Sequence, residues 1–313
     1  MKILCTGAAG FVGSHVVDAL LARGDTVLAV DNLSTGRMAN VAKYVTGHRF
    51  MFWGSDVRDL PRMTGMLRDV DAVVHLASNV DNTDPTLTRA DLDNSTIATW
   101  TLLEEMRLLH CKRIIYSSSA SVYGDSPEPR TEEDTTQLPV SLYAAGKLAA
   151  EAMISAYSEC FGIEATIFRF GNVVGSRLTH GVHRALLTRL QSKPEALRVL
   201  GDGGQERPFL HVSDVVRAIL SAADANPIGC HVYNLSPADT TTVAMVAQHC
   251  VEASPYPETP IEYAGGEVGW KGDVRAVDLD PWKAHCELGW SVSMNSAAAS
   301  ARAAAELSSE VFG

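Results

Sequence analysis

Lys2-Ile3-Leu4-Cys5-Thr6-Gly7-Ala8-Ala9-Gly10-Phe11-Val12-Gly13 is the stretch on which the architecture turns: an apolar run breaks into three glycines spaced G-x-x-G-x-x-G, and a helical apolar period begins at once. A strand that turns on glycine into a helix lets its backbone approach whatever sits in the turn. The helix N-terminus then offers free N–H groups and a positive dipole end, which suits a pyrophosphate. Gly7, Gly10, Phe11, Val12 and Gly13 are therefore candidate cradle residues. The next apolar run, 26–30, ends in Asp31, 18 residues past Gly13. That is close to the roughly 20 at which an acidic residue meets an adenosine ribose. A carboxylate there repels a 2′-phosphate, so the expected dinucleotide is NAD rather than NADP.

Working outward, strands are expected over 2–5, 26–30, 49–53, 72–76, 113–117 and 164–168, with helices over 12–22, 61–67, 92–109 and 142–161 between them. Six strands joined by crossover helices define an α/β chain with a doubly wound parallel sheet, the Rossmann fold. Asp56-Val57, after the third strand, and Leu76-Ala77-Ser78, after the fourth, stand where adenine and the nicotinamide ribose lie in such a sheet; an ordinary strand-end turn explains them equally well. After about Gly175 the pattern loosens. Helices are expected over 182–190 and 214–223, a Gly-rich turn over 201–204, then short strands, loops over 254–260 and 265–272, and an Ala-rich helix over 297–307 that acts as a structural cap. The expected division is an NAD-binding domain over 1–172, with 208–236 packing back on it, and a smaller mixed α/β substrate lobe over 173–313.

Composition narrows the function classes. The 313 residues are 46% hydrophobic and 20% charged, which excludes a fully disordered chain. Lys plus Arg is 26 against 37 for Asp plus Glu, a net charge of −11, and no basic run offers a footprint for nucleic acid. Apolar stretches stop well short of the roughly 20 residues a membrane span needs. No secretion signal is legible, so a cytoplasmic protein without a membrane contact is expected. The six cysteines are spaced singly with no CxxC pair and no histidine cluster, so buried free thiols are expected and no metal site.

Tyr143-Ala144-Ala145-Gly146-Lys147 puts a phenol and an ammonium four residues apart on one helix face. A free tyrosine, with a pKa of about 10, is a poor base, but a nearby ammonium and a cationic nicotinamide both favour its phenolate. Such a group can take a proton from an alcohol while hydride leaves the same carbon. Tyr and Lys at this spacing also occur by chance on many helices. Upstream, Ser117-Ser118-Ser119-Ala120-Ser121-Val122-Tyr123-Gly124 closes the fifth strand with hydroxyls.

With the glycine turn, Asp31, Ser119, Tyr143 and Lys147 in this order, the chain resembles the extended short-chain dehydrogenase/reductase family, in particular its NAD-dependent nucleotide-sugar epimerase/dehydratase branch. The resemblance runs from Lys2 to about Trp290 and is strongest in Val30-Asp31-Asn32-Leu33-Ser34-Thr35-Gly36 and the serine, tyrosine and lysine motifs. It implies that the glycine turn cradles the NAD pyrophosphate, that Asp31 holds the ribose, and that Asn32, Ser34 and Gly36 line it. It implies Ser119 as the hydroxyl that bonds the reacting sugar oxygen, Tyr143 as the base, and Lys147 as the residue that binds the nicotinamide ribose and lowers the tyrosine pKa. Asn172 and Arg207 match residues that contact the diphosphate of the substrate. The implied activity is epimerisation of a nucleotide-diphosphate sugar, of UDP-hexose or UDP-uronate type, at carbon 4 through a transient 4-keto sugar, with NAD recycled within the site. Dehydratase, other epimerase and ketoreductase activities are the alternatives. Dehydratases of the branch place Thr-Asp-Glu where this chain has Ser119-Ala120-Ser121, and the glutamate usual in decarboxylases is absent from the same stretch.

Four departures stand out. Ser95 replaces the usual Asn, so a cofactor contact weakens or moves to Asn94. Pro208 replaces an Asp, and the second diphosphate arginine is missing around 269–274, where neither Lys271 nor Arg275 aligns with it. Val277 occupies the place of a bulkier gate residue, which suggests room for a larger sugar. The resemblance also implies a homodimer through the helices over 92–109 and 142–161, which carry Ile97, Trp100, Leu103, Met106, Leu148, Met153, Ile154 and Tyr157.

Overall fold

A computed structural model describes all residues except 63–64, 66, 79–87, 125–129, 135–136, 226–227 and 267–277. The first half of the chain runs through β1 (Lys2–Thr6), α1 (Phe11–Arg23), β2 (Thr26–Val30), β3 (Phe50–Trp53), β4 (Ala72–His75), α2 (Thr88–Asp91), α3 (Ala98–Leu108), β5 (Arg113–Ser119), α4 (Leu142–Phe161) and β6 (Glu164–Phe170). It continues through β7 (Asn172–Val174), α5 (Val182–Ser192), β8 (Leu197–Val199), β9 (Glu206–Arg207), β10 (Phe209–His211), α6 (Val212–Asp224) and β11 (Cys230–Leu235). The last elements are β12 (Thr241–Thr242), α7 (Val243–Ala253), β13 (Ile261–Tyr263), α8 (Trp282–Leu288) and α9 (Ser296–Phe312).

Seven strands form the main sheet in the order β11-β6-β5-β4-β1-β2-β3. β1 pairs in parallel with β2 (Lys2↔Thr26) and with β4 (Ile3↔Ala72), so the winding reverses beside β1. Sites in doubly wound sheets form outside the carboxyl ends of the strands at such a reversal. The strands are near-continuous apolar runs because helices cover both faces of a parallel sheet. Leu4, Leu28, Val30, Val73, Ile114 and Ile167 pack in one core with Leu102, Leu103 and Met106 of α3 and Ala150 and Ile154 of α4.

Two compact units result. The first comprises Met1–Gly124, Thr136–Arg169 and Val216–Tyr233; the second comprises Asp125–Thr135, Phe170–Val215 and Asn234–Gly313. In the second, α5, α7 and α9 pack together, beside the short strand pairs β10-β7, β12-β9 and β13-β8. α9 is more than a cap: Ala299, Ala303, Ala304 and Leu307 are buried. Their small side chains let the helix approach its neighbours closely.

Several expectations are corrected. A 3-10 turn spans Val57–Arg62, where the Asp56 carboxylate accepts the Arg58 N–H at 2.9 Å; of the helix expected over 61–67, residues 63, 64 and 66 lie outside the described residues. The helix expected over 92–109 begins earlier, at α2, and runs through a π-helical turn over Leu92–Ile97 into α3. At that junction the Thr99 hydroxyl donates to the Ser95 carbonyl at 2.5 Å, competing with the regular ladder. α7 and α8 stand where only short strands and loops were expected. Thr242 caps α7 by accepting the Met245 N–H at 3.2 Å. Cys5, Cys111 and Cys250 are buried as expected, but Cys160 and Cys286 are exposed. Leu103, Met106 and Ile154 are fully buried within the chain, so they are not available to a second copy. No helix among the described residues is long and apolar enough to cross a membrane.

Candidate active site

The glycine turn is packed backbone against backbone. Gly7 has φ +66°, and a Cβ there would lie 2.8 Å from the Ala77 nitrogen; a Cβ on Gly13 would lie 2.0 Å from the Gly7 carbonyl oxygen. Gly10 is the N-cap of α1 and supplies no side-chain cap, and the first turn carries no acidic residue. The leading N–H groups thus face a site that favours an anion.

Asp31 is 7% exposed; its carboxylate accepts the Ala9 N–H at 2.9 Å and the Leu33 N–H at 2.8 Å. A Cβ on Gly36 would lie 2.7 Å from an Asp31 oxygen, so a larger residue there would push the carboxylate aside. Asn32 accepts the Ser34 N–H and donates to Asp56, each at 3.0 Å. Arg58 grips Asp56 with Nε at 2.8 Å and Nη2 at 2.9 Å, and this pushes its carboxyl down to about 2. Val57 beside it is buried. At the end of β4, the Thr6 hydroxyl accepts the Leu76 and Ala77 N–H groups, each at 3.2 Å, and lies 2.7 Å from His75 Nδ1. Ser78 Oγ lies 3.2 Å from Ser95 Oγ. Cradle, buried carboxylate and strand-end hydroxyls together fit a dinucleotide: a bare helix N-terminus for the pyrophosphate and an acceptor for ribose hydroxyls.

β5 runs into a 3-10 turn, Ala120–Tyr123, capped by Ser119, whose Oγ accepts the Ser121 N–H at 3.2 Å and the Ser121 hydroxyl at 2.9 Å. Ser119 is also hydrogen-bonded to Tyr143, which favours the phenolate. Ser141 caps α4 through the Ala144 N–H at 3.2 Å, which sets Tyr143 in the first turn and Lys147 one turn on. Lys147 is 3% exposed; its Nζ donates to the Ser117 carbonyl at 2.6 Å and sits 4.9 Å from the Tyr116 ring centroid and 5.9 Å from that of Tyr143.

Electrostatics differ from the expectation. Burial pushes the Tyr143 phenol up to about 12, opposed by the Ser119 hydrogen bond and reinforced by the Asp91 carboxylate. Lys147 does not offset this. Burial pushes its own ammonium down to about 7, with Glu151 opposing. The same exclusion of water penalises both charged forms, and in the chain alone it outweighs their mutual attraction.

Asn172 and Arg207 belong to the second unit, where the structure brings them together. Asn172, exposed on β7, pairs with Phe209 of β10, and its N–H donates to the Pro208 carbonyl at 3.1 Å. Arg207 pairs with Thr241 of β12. Pro208 interrupts the path from β9 to β10, and the Ser296 hydroxyl bridges it, accepting the Phe209 N–H at 3.0 Å and donating to the Arg207 carbonyl at 3.2 Å. The stretch 269–274, Lys271, Arg275 and Val277 lie outside the described residues. Sequence reasoning missed Arg58, Asp91, Glu151 and Arg169. Of these only Glu151 carried a signal, standing four residues past Lys147 on the same face of α4.

The family model for the NAD dependent epimerase/dehydratase family matches residues 3–236. The chain belongs to this family of NAD-using enzymes. Its sequence is 31% identical over 300 residues to a UDP-glucose 4-epimerase of Mycolicibacterium smegmatis, covering 93% of each chain. It is 35% identical over 239 residues to UDP-glucuronic acid decarboxylase 1 of Danio rerio, covering 72% of this chain and 54% of that one. Among solved structures, a UDP-glucose 4-epimerase from Thermotoga maritima with UDP-glucose superposes with TM-score 0.87 at 30% identity, covering 99% of this chain and 100% of the other. A UDP-glucuronic acid 4-epimerase from Bacillus cereus in complex with UDP-glucuronic acid and NAD gives TM-score 0.85 at 26% identity, with 99% and 100% covered.

Proposed function

We propose that the protein is a 4-epimerase of a UDP-linked sugar, a hexose or a uronate, with Tyr143 as its base. One observation carries this reading: Tyr143 is hydrogen-bonded to Ser119 while Lys147 sits one turn on, and Ala120 and Ser121, which follow Ser119, supply no carboxyl for eliminating water. NAD, when bound, accepts a hydride from the sugar carbon and returns it. The residues of the chain manage everything else. Gly7, Gly10, Phe11, Val12 and Gly13 hold the pyrophosphate; Asp31, Asn32, Ser34 and Gly36 hold the adenosine ribose. Asp56 and Val57 flank the adenine, and Leu76, Ala77 and Ser78 flank the second ribose. Ser119 donates its proton to the sugar oxygen or to Tyr143, and Tyr143 takes the hydroxyl proton and later gives it back. Lys147 binds the nicotinamide ribose one turn from the phenol. Asn172 and Arg207 grip the diphosphate, for which the arginine fork is suited.

This reading includes a cytoplasmic setting, which suits the exposed free thiols Cys160 and Cys286. It also includes a homodimer through α3 and α4, supported by exposed apolar groups there.

The test is incubation with UDP-glucose, UDP-glucuronic acid and UDP-N-acetylglucosamine, following sugar configuration by NMR and NADH by absorbance. Product inverted at carbon 4 without net NADH is expected; a released keto sugar or carbon dioxide would replace this reading with a dehydratase or decarboxylase one. Tyr143→Phe should lower turnover by roughly 100-fold or more while NAD stays bound. Near-normal turnover would remove Tyr143 from the role of base.

A further inference from the structure

Among the described residues of the first unit, one heavily bonded buried charge has no part in the reaction. Glu151 on α4 is 5% exposed, and its carboxylate accepts Arg169 Nε at 3.0 Å and Nη2 at 2.6 Å, as well as the Ser118 hydroxyl. Arg169, on β6, is 4% exposed; its guanidinium lies 4.6 Å from the Tyr123 ring centroid, and its Nη1 is buried with no hydrogen-bond partner among the described residues. Replacing such a buried pair by apolar side chains is often neutral or stabilising, so stability alone does not explain its presence.

Its placement does explain it. Tyr143, Lys147 and Glu151 follow one another at four-residue steps on α4, and each meets the end of β5. Tyr143 is bonded to Ser119, Lys147 to the Ser117 carbonyl, and Glu151 to the Ser118 side chain. We propose that Glu151, clamped by Arg169, is a positioning residue: it locks the axial slide of α4 against β5, so that Tyr143 and Lys147 stand at the height their work requires. Without it, each of the two upper rungs keeps one hydrogen bond to β5, and only apolar packing through Ala150 and Ile154 resists a slide of the helix along its axis. Its negative charge also supports the proton on Lys147, whose other charged or titratable neighbours are Tyr143 on α4, Tyr116 on β5 and His75 on β4.

Two variants test this in the full chain. Glu151→Leu combined with Arg169→Met removes the charged pair without orphaning either member; Ser118→Ala removes only the tie to β5. For each, Tm, the affinity for NAD by calorimetry, and kcat and KM with the active UDP-sugar are measured. The double variant is expected to keep its Tm within a few degrees, lose about tenfold in NAD affinity and in kcat, leave KM little changed, and bring the alkaline loss of NAD affinity to lower pH. Ser118→Ala is expected to lower kcat several-fold at unchanged Tm. If the double variant folds with normal NAD affinity and kcat, or if it unfolds and Ser118→Ala is fully active, the proposal fails. The kinetic arm rests on the epimerase reading. If wild type acts on no UDP-sugar, that reading fails by itself, and NAD affinity and its pH profile still decide the role of Glu151.

Discussion

Lys147 holds an ammonium where water cannot solvate it, and the cost has a definite pH signature. Its pKa of about 7 lies below the ordinary lysine value of about 10.4 expected in the unfolded chain. Between these values the unfolded state binds more protons, so stability rises with pH; below about 7 the full penalty of burying the charge is present. Lys147→Met removes the penalty. The variant is expected to melt several degrees above wild type at pH 6, the gain shrinking to nothing near pH 10, while NAD affinity falls. A gain of constant size across that range would mean that the lysine keeps its ordinary pKa in the fold and is charged throughout. Tyr143 carries the same lesson with opposite charge: its phenol is held near 12 by burial, so the base needs positive charge from outside the chain to work near neutral pH.

Among the elements, the turn from β1 to α1 leaves the least freedom. A methyl on Gly13 would sit 2.0 Å from the Gly7 carbonyl oxygen, and neither backbone segment can retreat, since the Gly7 N–H is tied to Val30 at 2.9 Å and the Gly10 N–H to Gly7 at 3.1 Å. Gly13→Ala is expected to cost about 2 kcal/mol of stability and at least tenfold in NAD affinity, measured by thermal melts and calorimetry. An alanine variant that binds NAD normally would show that the helix start does not hold the pyrophosphate. The π-helical turn over Leu92–Ile97 shows the opposite case, an element invisible to pattern reading. It inserts a residue without breaking the apolar period around it, because Leu102, Leu103 and Met106 still reach the core.

For the molecule as a whole, one apolar face has no cover within its own unit. Ile97 is 38% exposed, Trp100 46%, Leu108 56% and Phe161 44%, all on or beside α3 and α4. Their polar neighbours are already satisfied: Tyr157 donates to Glu104, which also pairs with Arg107 at 2.9 Å. A desolvated contact here would strand no charge. Light scattering is expected to give the mass of two chains, and Trp100→Glu that of one, with NAD affinity retained. A single-chain mass for wild type would refute the dimer.

The sequence by itself determined the doubly wound sheet, its first six strands and the glycine turn, because local periodicity and glycine sterics depend on neighbours within a few residues. It also marked Asp31, Tyr143 and Lys147 by spacing. It carried the cap of α7 at Thr242 and its apolar period at 243, 246, 247, 250 and 251 as well. The tertiary structure alone decided which charges meet. The bridge from Ser296 across Pro208, the clamp of Arg169 on Glu151 and the raised pKa of Tyr143 depend on side chains brought together from distant segments, and on the exclusion of water there. Burial, unlike spacing, is a property no single segment possesses.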